Sequence, residues 1–428
     1  MKQVIFLITF LAAVLCCNGQ IKGILERAKQ KAAKKADEKV DRTIDKTIDP
    51  SSQKEDSTGS ETEKKTTENS NQGNGKTTDK AATVSEKSEP APIRAYSKYD
   101  FVPGEKILVF EDFAQDAVGD FPDKWNTNAS AEIVTIESLP GKWLKINKQG
   151  VFMPEFIDSL PANFTLEYDL LCDNPGRVWA FYSSLATLPN RNRPEEWQSA
   201  DSRFTYVISP YPDGNSTSTI ERRKDGINES SMGTGTKQFS DKTQPVHVAF
   251  WRQKERVRIY FNQDKVWDLP KALSQTAVYN ALVYWLQGGT EDGNFYLSNL
   301  RLAVGLPDVR NKILKQNKWV THGILFDVNS ANIRAESYGT LKEMAAVLNE
   351  NPDLRVKIVG HTDADGKDAD NLDLSKRRSA AVKTMLSKEF GIDESRMETD
   401  GKGEAEPIDK NDSPAGKANN RRVEFIKL

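Results

Sequence analysis

Histidine and cysteine are both scarce in this chain of 428 residues, which has three of each. His247, His322 and His361 lie far apart, and none of them stands in the spacing of a usual metal site. Cys172 ends the apolar run LEYDLLC, so we expect a buried small side chain rather than a redox or catalytic residue. These observations predict that the protein holds no metal and needs no cofactor.

Long apolar stretches and an excess of one charge are missing as well. Only 37% of the residues are hydrophobic and the mean hydropathy is -0.63, so we expect part of the chain to build no core. After residue 15 no apolar run approaches the roughly 20 residues that span a bilayer. The net charge of -2 argues against a nucleic-acid partner, because such proteins carry a concentrated basic face.

The N-terminus has the composition of a secretory signal peptide, with a basic residue, an apolar run that ends at Leu15, and small or polar residues after it. We expect residues 1–19 to be removed by cleavage after Gly19. The alternative is lipidation of Cys16 or Cys17, although Leu15 stands where a lipoprotein signal has a small residue. A lipid anchor would hold the protein on a membrane, whereas simple cleavage would release it.

Residues 20–95 are predicted to form no domain of their own. The segment 22–45 is rich in Ala, Lys and Glu, which favours a solvated charged helix, with a membrane-surface contact as the alternative. From Pro50 to Pro92 there are no aromatic and almost no aliphatic residues, so the segment cannot bury enough surface to offset its chain entropy. We expect a disordered linker there.

Between residues 96 and 305 the sequence has the pattern of many short strands. Apolar residues alternate with polar ones in runs such as KILVFEDF, PVHVAFWR and NFYLSNLRLAV, and turn residues separate the runs. This pattern predicts an antiparallel β-sandwich or barrel. Through DFAQDAVGDFPDKW and FYLSNLRLAVG the segment resembles the concanavalin-type jelly-roll domains of sugar-binding proteins, which implies a jelly-roll-like sandwich.

Glu167 and Asp169 would share one face of a predicted strand in this segment, and jelly-roll glycosidases carry carboxylates in such a pattern. The third carboxylate of that pattern falls on Cys172, so one chemical role is missing and we expect no enzyme. Carbohydrate or glycoprotein contact and a structural spacer both stay open for this domain. Five tryptophans could stack on sugars, although core positions are more usual for such residues: Trp143, Trp179, Trp251, Trp267 and Trp285.

From about residue 319 to 428 the pattern changes to alternating strands and helices. GILFDVN, LRVKIVGH and NRRVEFIKL are predicted strands, and SYGTLKEMAAVLNEN is a predicted helix. A second helix is expected from about Ser375 to Phe390, with Gly391 ending it. Together these elements predict an α+β domain, with a small sheet and helices on one side.

The acidic loop before that second helix has three interpretations. An EF-hand calcium loop is excluded because, counted from Asp363, Lys367 falls on a ligand position and Asp368 on the position that needs Gly. The loop could be a solvated acidic segment that pairs with the following bases. Alternatively, a carboxylate in the loop, together with Arg378 and free N–H groups at the helix start, could hold a zwitterion, which would explain bases in a first helical turn.

The C-terminal segment resembles the OmpA-like peptidoglycan-binding domain family. The resemblance rests on four motifs in matching order: GILFDVNSANI, VGHTDADGKDADNLDLSKRRSAAV, GIDESRMETDGKGEAEPI and NNRRVEFI. It implies that Asp363 and Arg378 grip the α-amino and carboxylate groups of diaminopimelate in the cell-wall stem peptide. It also implies that Asn371, Asn329 and Thr362 belong to the same groove.

The sequence departs from the family pattern at one position, and two further segments carry an expectation of their own. Asp370 stands where the family usually has a tyrosine before the loop asparagine. The segments 401–404 and 420–424 are expected to be scaffold rather than ligand contacts.

The resemblance implies a non-enzymatic protein that tethers an envelope component to peptidoglycan, in the periplasm or at the outer membrane. A glycan or an envelope protein is the expected second partner, at the β-sandwich. The alternative is an envelope glycan-binding or glycan-cleaving protein whose main activity lies in that sandwich.

Overall fold

The computed structural model describes residues 99–428, apart from 290–292 and 306–307. The predicted signal peptide, the charged helix and the linker, together with Cys16 and Cys17, lie outside the described residues. Within the described part of the chain, no helix is long and apolar enough to cross a bilayer.

Residues 106–304 form two eight-stranded antiparallel sheets. Sheet A has the order β14-β13-β12-β6-β16-β4-β3 with β1 beside β16, and sheet B has the order β10-β9-β8-β7-β15-β5-β2 with β11 beside β9. The strands are β1 Lys106–Glu111, β2 Trp125–Thr127, β3 Ala131–Thr135, β4 Lys142–Ile146, β5 Gly150–Pro154, β6 Asn163–Cys172, β7 Val178–Ala186, β8 Arg203–Ser209, β9 Thr217–Lys224, β10 Ile227–Asn228, β11 Met232–Gly235, β12 Val246–Gln253, β13 Arg256–Phe261, β14 Asp264–Leu269, β15 Ala281–Gly289 and β16 Phe295–Val304. The predicted antiparallel sandwich is therefore confirmed, while its jelly-roll character stays a prediction.

The core lies between the two sheets and follows the period-two alternation of the sequence. On β6, Leu166 and Tyr168 point into the core, and Tyr168 shares a 2.6 Å hydrogen bond between hydroxyls with Tyr206 of sheet B. Cys172 is buried as expected, and burial raises the pKa of its thiol to about 12. The residues between these on β6 point to the outer face of sheet A.

The C-terminal region is an α+β fold around sheet C, whose strand order is β17-β20-β18-β19. Its elements are α1 Val309–Gln316, β17 Lys318–Thr321, α2 Tyr338–Glu350, β18 Val356–His361, α3 Asp368–Phe390, β19 Met397–Gly403, α4 Pro414–Asn420 and β20 Val423–Lys427. Short 3-10 helices lie at Pro194–Ser199, Ala335–Ser337 and Glu394–Arg396. The predicted strand GILFDVN is wrong, because the first strand is the preceding KWVT and only Phe326 of that run forms a bridge, with Ile333.

Helix α3 begins seven residues earlier than the sequence pattern indicates. Its first turn contains Asp368 and Asp370, whose charges suit the positive end of the helix dipole. Arg378 therefore lies in the third turn, and the expected first turn of bases with free N–H groups beside it is wrong. The predicted end is confirmed, since Gly391 caps the helix at φ 70°.

Two glycines let α3 approach sheet C closely. A Cβ atom on Gly360 of β18 would lie 2.3 Å from the Ser375 carbonyl oxygen, and one on Gly401 of β19 would lie 2.4 Å from the Lys376 nitrogen. No other residue fits at such distances without displacing the helix. The close approach places the third turn of α3 beside the carboxyl end of β18, where the acidic loop begins.

The outer face of sheet A is covered rather than exposed. Tyr99 and Phe101 pack on Tyr260 of β13, and Tyr338 of α2 joins this cluster. Asn419 of α4 exchanges two 3.0 Å hydrogen bonds with the backbone of Ile107 in β1. The sandwich and the C-terminal region therefore share a buried interface within one compact unit.

Candidate functional site

The acidic loop between β18 and α3 is fixed by buried hydrogen bonds. The Thr362 amide donates to the Gly403 carbonyl at 2.9 Å, which ties the loop to the end of β19. Asn371, in the first turn of α3, is only 7% exposed, and its Nδ2 donates to the Asp365 carbonyl at 3.0 Å and to Glu404 at 2.5 Å. Asn371 thus holds the loop from within.

Asp363 is 8% exposed and already has a cationic partner. Its Oδ2 accepts a hydrogen bond from Nη1 of Arg421 at 2.5 Å, and its Oδ1 accepts one from the Asp365 amide at 3.2 Å. Arg421, in the segment 420–424 that is expected to be scaffold, thus contacts a predicted ligand-binding residue. The sequence signal was the pair of adjacent arginines at a strand start, since one of them, Arg422, turns inward to Glu424 at 2.8 Å and the other turns outward.

Arg378 lies on the other side of this site and is held by carbonyl oxygens rather than by a carboxylate. Its Nε donates to the Ser330 carbonyl at 2.9 Å, its Nη2 reaches the Asp327 carbonyl at 3.5 Å, and its guanidinium lies 4.9 Å from the Phe326 ring centroid. It forms an ion pair with no carboxylate of the described residues. Its positive charge is therefore positioned but not neutralised.

The electrostatics of Arg378 show that three charges act on one another here. Burial and the charge of Arg421 lower the pKa of Arg378, the charge of Asp363 opposes them, and the net result is a pKa of about 10. One carboxylate thus faces two guanidinium groups, which leaves an excess positive charge. An arrangement of this kind favours an anionic group, and its acid can accept an ammonium group.

Asn329 is brought to the edge of the same site. It is exposed and has φ 53°, a left-handed conformation that asparagine tolerates well. It lies in a turn in which the Ser330 amide donates to the Asp327 carbonyl at 3.1 Å, and both of these residues hold Arg378. The hydroxyl of Thr362 is buried and has no hydrogen-bond partner in the described chain. The structure therefore brings all five predicted residues to one loop and helix surface, which together with Arg421 we call the loop site.

The sandwich also contributes to the loop site. Phe110 of β1 lies under the Arg421 guanidinium, with 5.3 Å between that group and the ring centroid. Within the C-terminal region, Lys417 of α4 forms an ion pair with Asp365 at 2.8 Å. Nothing in the sequence pattern links Phe110 to this loop, because the contact depends on how the two regions pack.

A second group of charges lies buried on the outer face of sheet A, where the C-terminal region covers it. Glu167 receives two hydrogen bonds from Arg301, at 3.0 and 2.6 Å. His247 contacts Asp169 at 2.8 Å and Glu167 at 3.3 Å. These four residues form what we call the interface ion cluster, and Arg301 also donates to the His322 carbonyl at 3.0 Å.

The pKa directions agree with a saturated ion cluster. Burial alone would raise the pKa of Glu167, but Arg301 and His247 hold it below its ordinary value. Burial alone would lower the pKa of His247, but hydrogen bonds to Asp169 and Glu167 raise it to about 9. Both carboxylates that could have served a glycosidase are thus engaged and covered, which argues against that alternative.

The five tryptophans named above have different surroundings. Trp143 and Trp267 are buried, and Trp251 is half-buried in the interface with the C-terminal region. Trp179 is 66% exposed, and Trp285 is half-buried on the outer face of sheet B. Most of them therefore pack against protein.

The fold and the loop site define an α+β domain that presents paired charges at the junction of a strand, a loop and a helix. Residues 325–421 of this domain match the model of the OmpA family. The C-terminal region therefore contains an OmpA family domain at residues 325–421.

Known proteins resemble this chain over the same region. Outer membrane porin F of Pseudomonas aeruginosa is 37% identical over 101 residues, which are 24% of this chain and 29% of that protein. The probable lipoprotein YiaD of Escherichia coli is 40% identical over 104 residues, 24% of this chain and 47% of that protein. The peptidoglycan-binding protein ArfA of Mycobacterium bovis is 37% identical over 108 residues, 25% of this chain and 33% of that protein. The chain thus spans less than half the length of each of these relatives.

Proposed function

We propose that the OmpA family domain binds peptidoglycan through the diaminopimelate of its stem peptides, and that the protein is a non-enzymatic tether in the cell envelope. One observation carries this proposal: the guanidinium of Arg378 is positioned by two carbonyls, is not neutralised, and lies beside the pair of Asp363 and Arg421. The relative ArfA of Mycobacterium bovis is named as a peptidoglycan-binding protein, which supports the same conclusion.

The charges of the loop site are complementary to the zwitterionic end of an amino acid. The ligand's ammonium group would bind Asp363, and its carboxylate would lie between Arg378 and Arg421. Asn329 stands at the open edge, where its side chain can bind the ligand backbone. Thr362, whose hydroxyl is buried, supports the loop through its amide hydrogen bond to the Gly403 carbonyl. Asn371 donates a hydrogen bond to the Asp365 carbonyl and so stabilises the loop that positions Asp363.

The strength of such a contact follows from its hydrogen bonds. A hydrogen bond to a charged group contributes about 1.5 to 3 kcal/mol, so one stem peptide alone would bind weakly. The wall presents many copies, and rebinding retains a protein that has only one weak site. The assay must therefore use intact wall material rather than a soluble fragment alone.

Sedimentation with purified murein sacculi tests the proposal. We expect Asp363→Asn and Arg378→Ala each to weaken co-sedimentation about tenfold or more, since each removes one charged partner of the ligand. Arg377→Ala is the matched control, because Arg377 is the exposed neighbour on α3 and pairs with Asp373 at 2.7 Å. If both site variants sediment like the native protein, the proposal is wrong.

We further propose the organisation that this function needs: a signal peptide at 1–19, a charged helix and linker at 20–95, the sandwich at 96–305 and the wall-binding domain at 319–428. The names of relatives that are outer membrane proteins or lipoproteins support a location in the envelope. Mass spectrometry of the mature N-terminus would distinguish cleavage after Gly19 from acylation of Cys16 or Cys17. If deletion of 319–428 leaves the envelope location unchanged, the wall contact is incidental to that location.

A further inference from the structure

A pocket of about 360 Å³ opens on the outer face of sheet B. The loop site, in contrast, lies in the C-terminal region. Its walls combine aromatic, amide and charged side chains. The residues that matter here are Tyr182, Arg203, Glu221, Arg223, Trp285 and Gln287. Its volume falls in the range of small-ligand sites.

One wall of the pocket is aromatic and rigid. Tyr182 of β7 and Trp285 of β15 are directly opposite each other in the sheet, with ring centroids 4.5 Å apart. Trp197 is buried behind them, 5.7 Å from the Trp285 ring. Trp285 itself is only half-buried, so an apolar ring face is presented to the pocket.

The amide of Gln287 stands next to this wall, and its donor has no partner among the described residues. The Tyr182 hydroxyl donates to Oε1 of Gln287 at 2.5 Å, which fixes the orientation of the amide. The Nε2 group of Gln287 then donates to no other residue of the described chain. A hydroxyl-bearing ring seated on the aromatic wall would lie within reach of this donor.

The floor of the pocket contains two like charges on neighbouring strands. Arg203 of β8 and Arg223 of β9 are directly opposite each other, and like charges in such a pair destabilise a sheet. Glu221 compensates only in part, since it lies 3.8 Å from Arg203. Arg223 forms an ion pair with no carboxylate of the described residues.

The two arginines are also incompletely hydrogen-bonded. The Nε atoms of both are buried and have no hydrogen-bond partner in the part of the chain that the structure describes. Burial lowers the pKa of Arg203, and the charge of Arg223 acts in the same direction while Glu221 opposes them. An anion bound between the two guanidinium groups would relieve the repulsion.

We infer that this pocket binds a sugar ring that carries a carboxylate, as in an acidic polysaccharide. The ring packs on Trp285 and Tyr182, its hydroxyls bind the Gln287 amide, and its carboxylate lies between Arg203 and Arg223. A neutral sugar leaves the arginine pair unexplained, and a bare anion leaves the aromatic wall without a role. This site is independent of the proposed wall contact.

Isothermal titration calorimetry of the mature full-length protein with short oligomers of galacturonic acid tests the inference. We expect saturable binding that falls about tenfold or more in Arg223→Gln and in Trp285→Ala. Arg222→Gln is the matched control, because it removes the same charge from the next residue of β9, where Arg222 pairs with Glu229 at 2.9 Å. Urea unfolding of all three variants should stay cooperative like that of the native protein, which shows that the chain is folded.

Four results would overturn the inference. Methyl esters of the same oligomers that bind as tightly as the acids would mean that no carboxylate is recognised. Inorganic phosphate that binds equally well and displaces the oligomer would mean a simple anion site. Absence of binding to the folded native protein, or binding that Arg223→Gln leaves unchanged, would mean that the arginine pair is not a ligand site.

Discussion

Two groups of charged residues in this molecule contain the same kinds of side chain and differ in how completely they are satisfied. In the interface ion cluster, the carboxylates of Glu167 and Asp169 both have hydrogen-bonded partners, and the C-terminal region covers them. In the loop site, Arg378 is bound by carbonyls alone and keeps its charge. The first group is closed and saturated, whereas the second is open and has excess charge.

This difference separates a structural role from a binding role. A buried charge that loses its partner is strongly unfavourable, so the interface ion cluster should respond in stability when it is altered. A half-exposed charge without a counter-ion costs less when empty and gains when a ligand arrives. In the loop site, removal of Arg378 should therefore weaken binding and change stability little.

The largest effect is expected for Glu167→Ala. It leaves Arg301 and His247 buried without their shared partner, so we expect the free energy of unfolding to fall by about 3 to 5 kcal/mol. Urea unfolding monitored by tryptophan fluorescence measures this. Glu398→Ala is the control, since its pair with Arg355 is more than half exposed on both sides and should contribute about 1 kcal/mol or less. Equal shifts for the two variants would contradict the structural assignment.

A pH effect on stability should follow from His247. Its pKa is about 9 in the folded protein and 6.5 in the absence of partners, so its stabilising contribution is complete below pH 6.5 and is lost as the pH rises through 9. We expect the thermal midpoint to fall between pH 7 and 9. Glu111, whose pKa is raised by burial to about 7, also destabilises the protein as the pH rises from about 4.5 through 7, so its effect overlaps only the start of this window.

The matched variant for this pH effect is His247→Asn. Whatever stability it loses overall, it should show a flatter dependence between pH 7 and 9 than the native protein, because the titrating group is gone. An unchanged slope would mean that His247 is not the residue responsible.

A smaller effect, measured in binding, is expected for Arg421→Ala. It removes one of two guanidinium groups from the ligand carboxylate, so we expect about three- to tenfold weaker sacculus sedimentation, or roughly 1 kcal/mol. The unfolding midpoint should fall as well, because the variant leaves the Asp363 carboxylate, which is only 8% exposed, without its cationic partner. Tighter binding in this variant would mean that Arg421 competes with the ligand for Asp363.

The smallest effect concerns the start of α3. Asp368→Asn removes a negative charge from the first turn, so the free energy of unfolding should fall by about 0.3 to 1 kcal/mol. Thermal unfolding at low salt measures it, and added salt should reduce the difference. No effect at low salt would favour a helix that begins nearer Ser375.

Patterns local in the sequence predicted much of the fold. The helical face of Leu341, Met344, Ala345 and Leu348 is buried as predicted, because a spacing of three and four residues places these side chains on one side of α2. The start of α3 was missed because acidic residues suit a loop and a first helical turn equally well. Asp363 and Arg378 could be named from their motifs, but the partner of Asp363 could not.

The sequence by itself determined most strands of the sandwich and most elements of the α+β domain, though not its first strand or the start of α3, and it located Asp363 and Arg378 in the chain. Those features follow from periodicity and local motif, which depend on neighbours a few residues away. Only the tertiary structure decided that Glu167 and Asp169 are sealed beneath the second region, that Phe110 and Arg421 meet, and that Arg203 faces Arg223. These contacts join residues far apart in the chain, and strand register and the docking of two surfaces determine them.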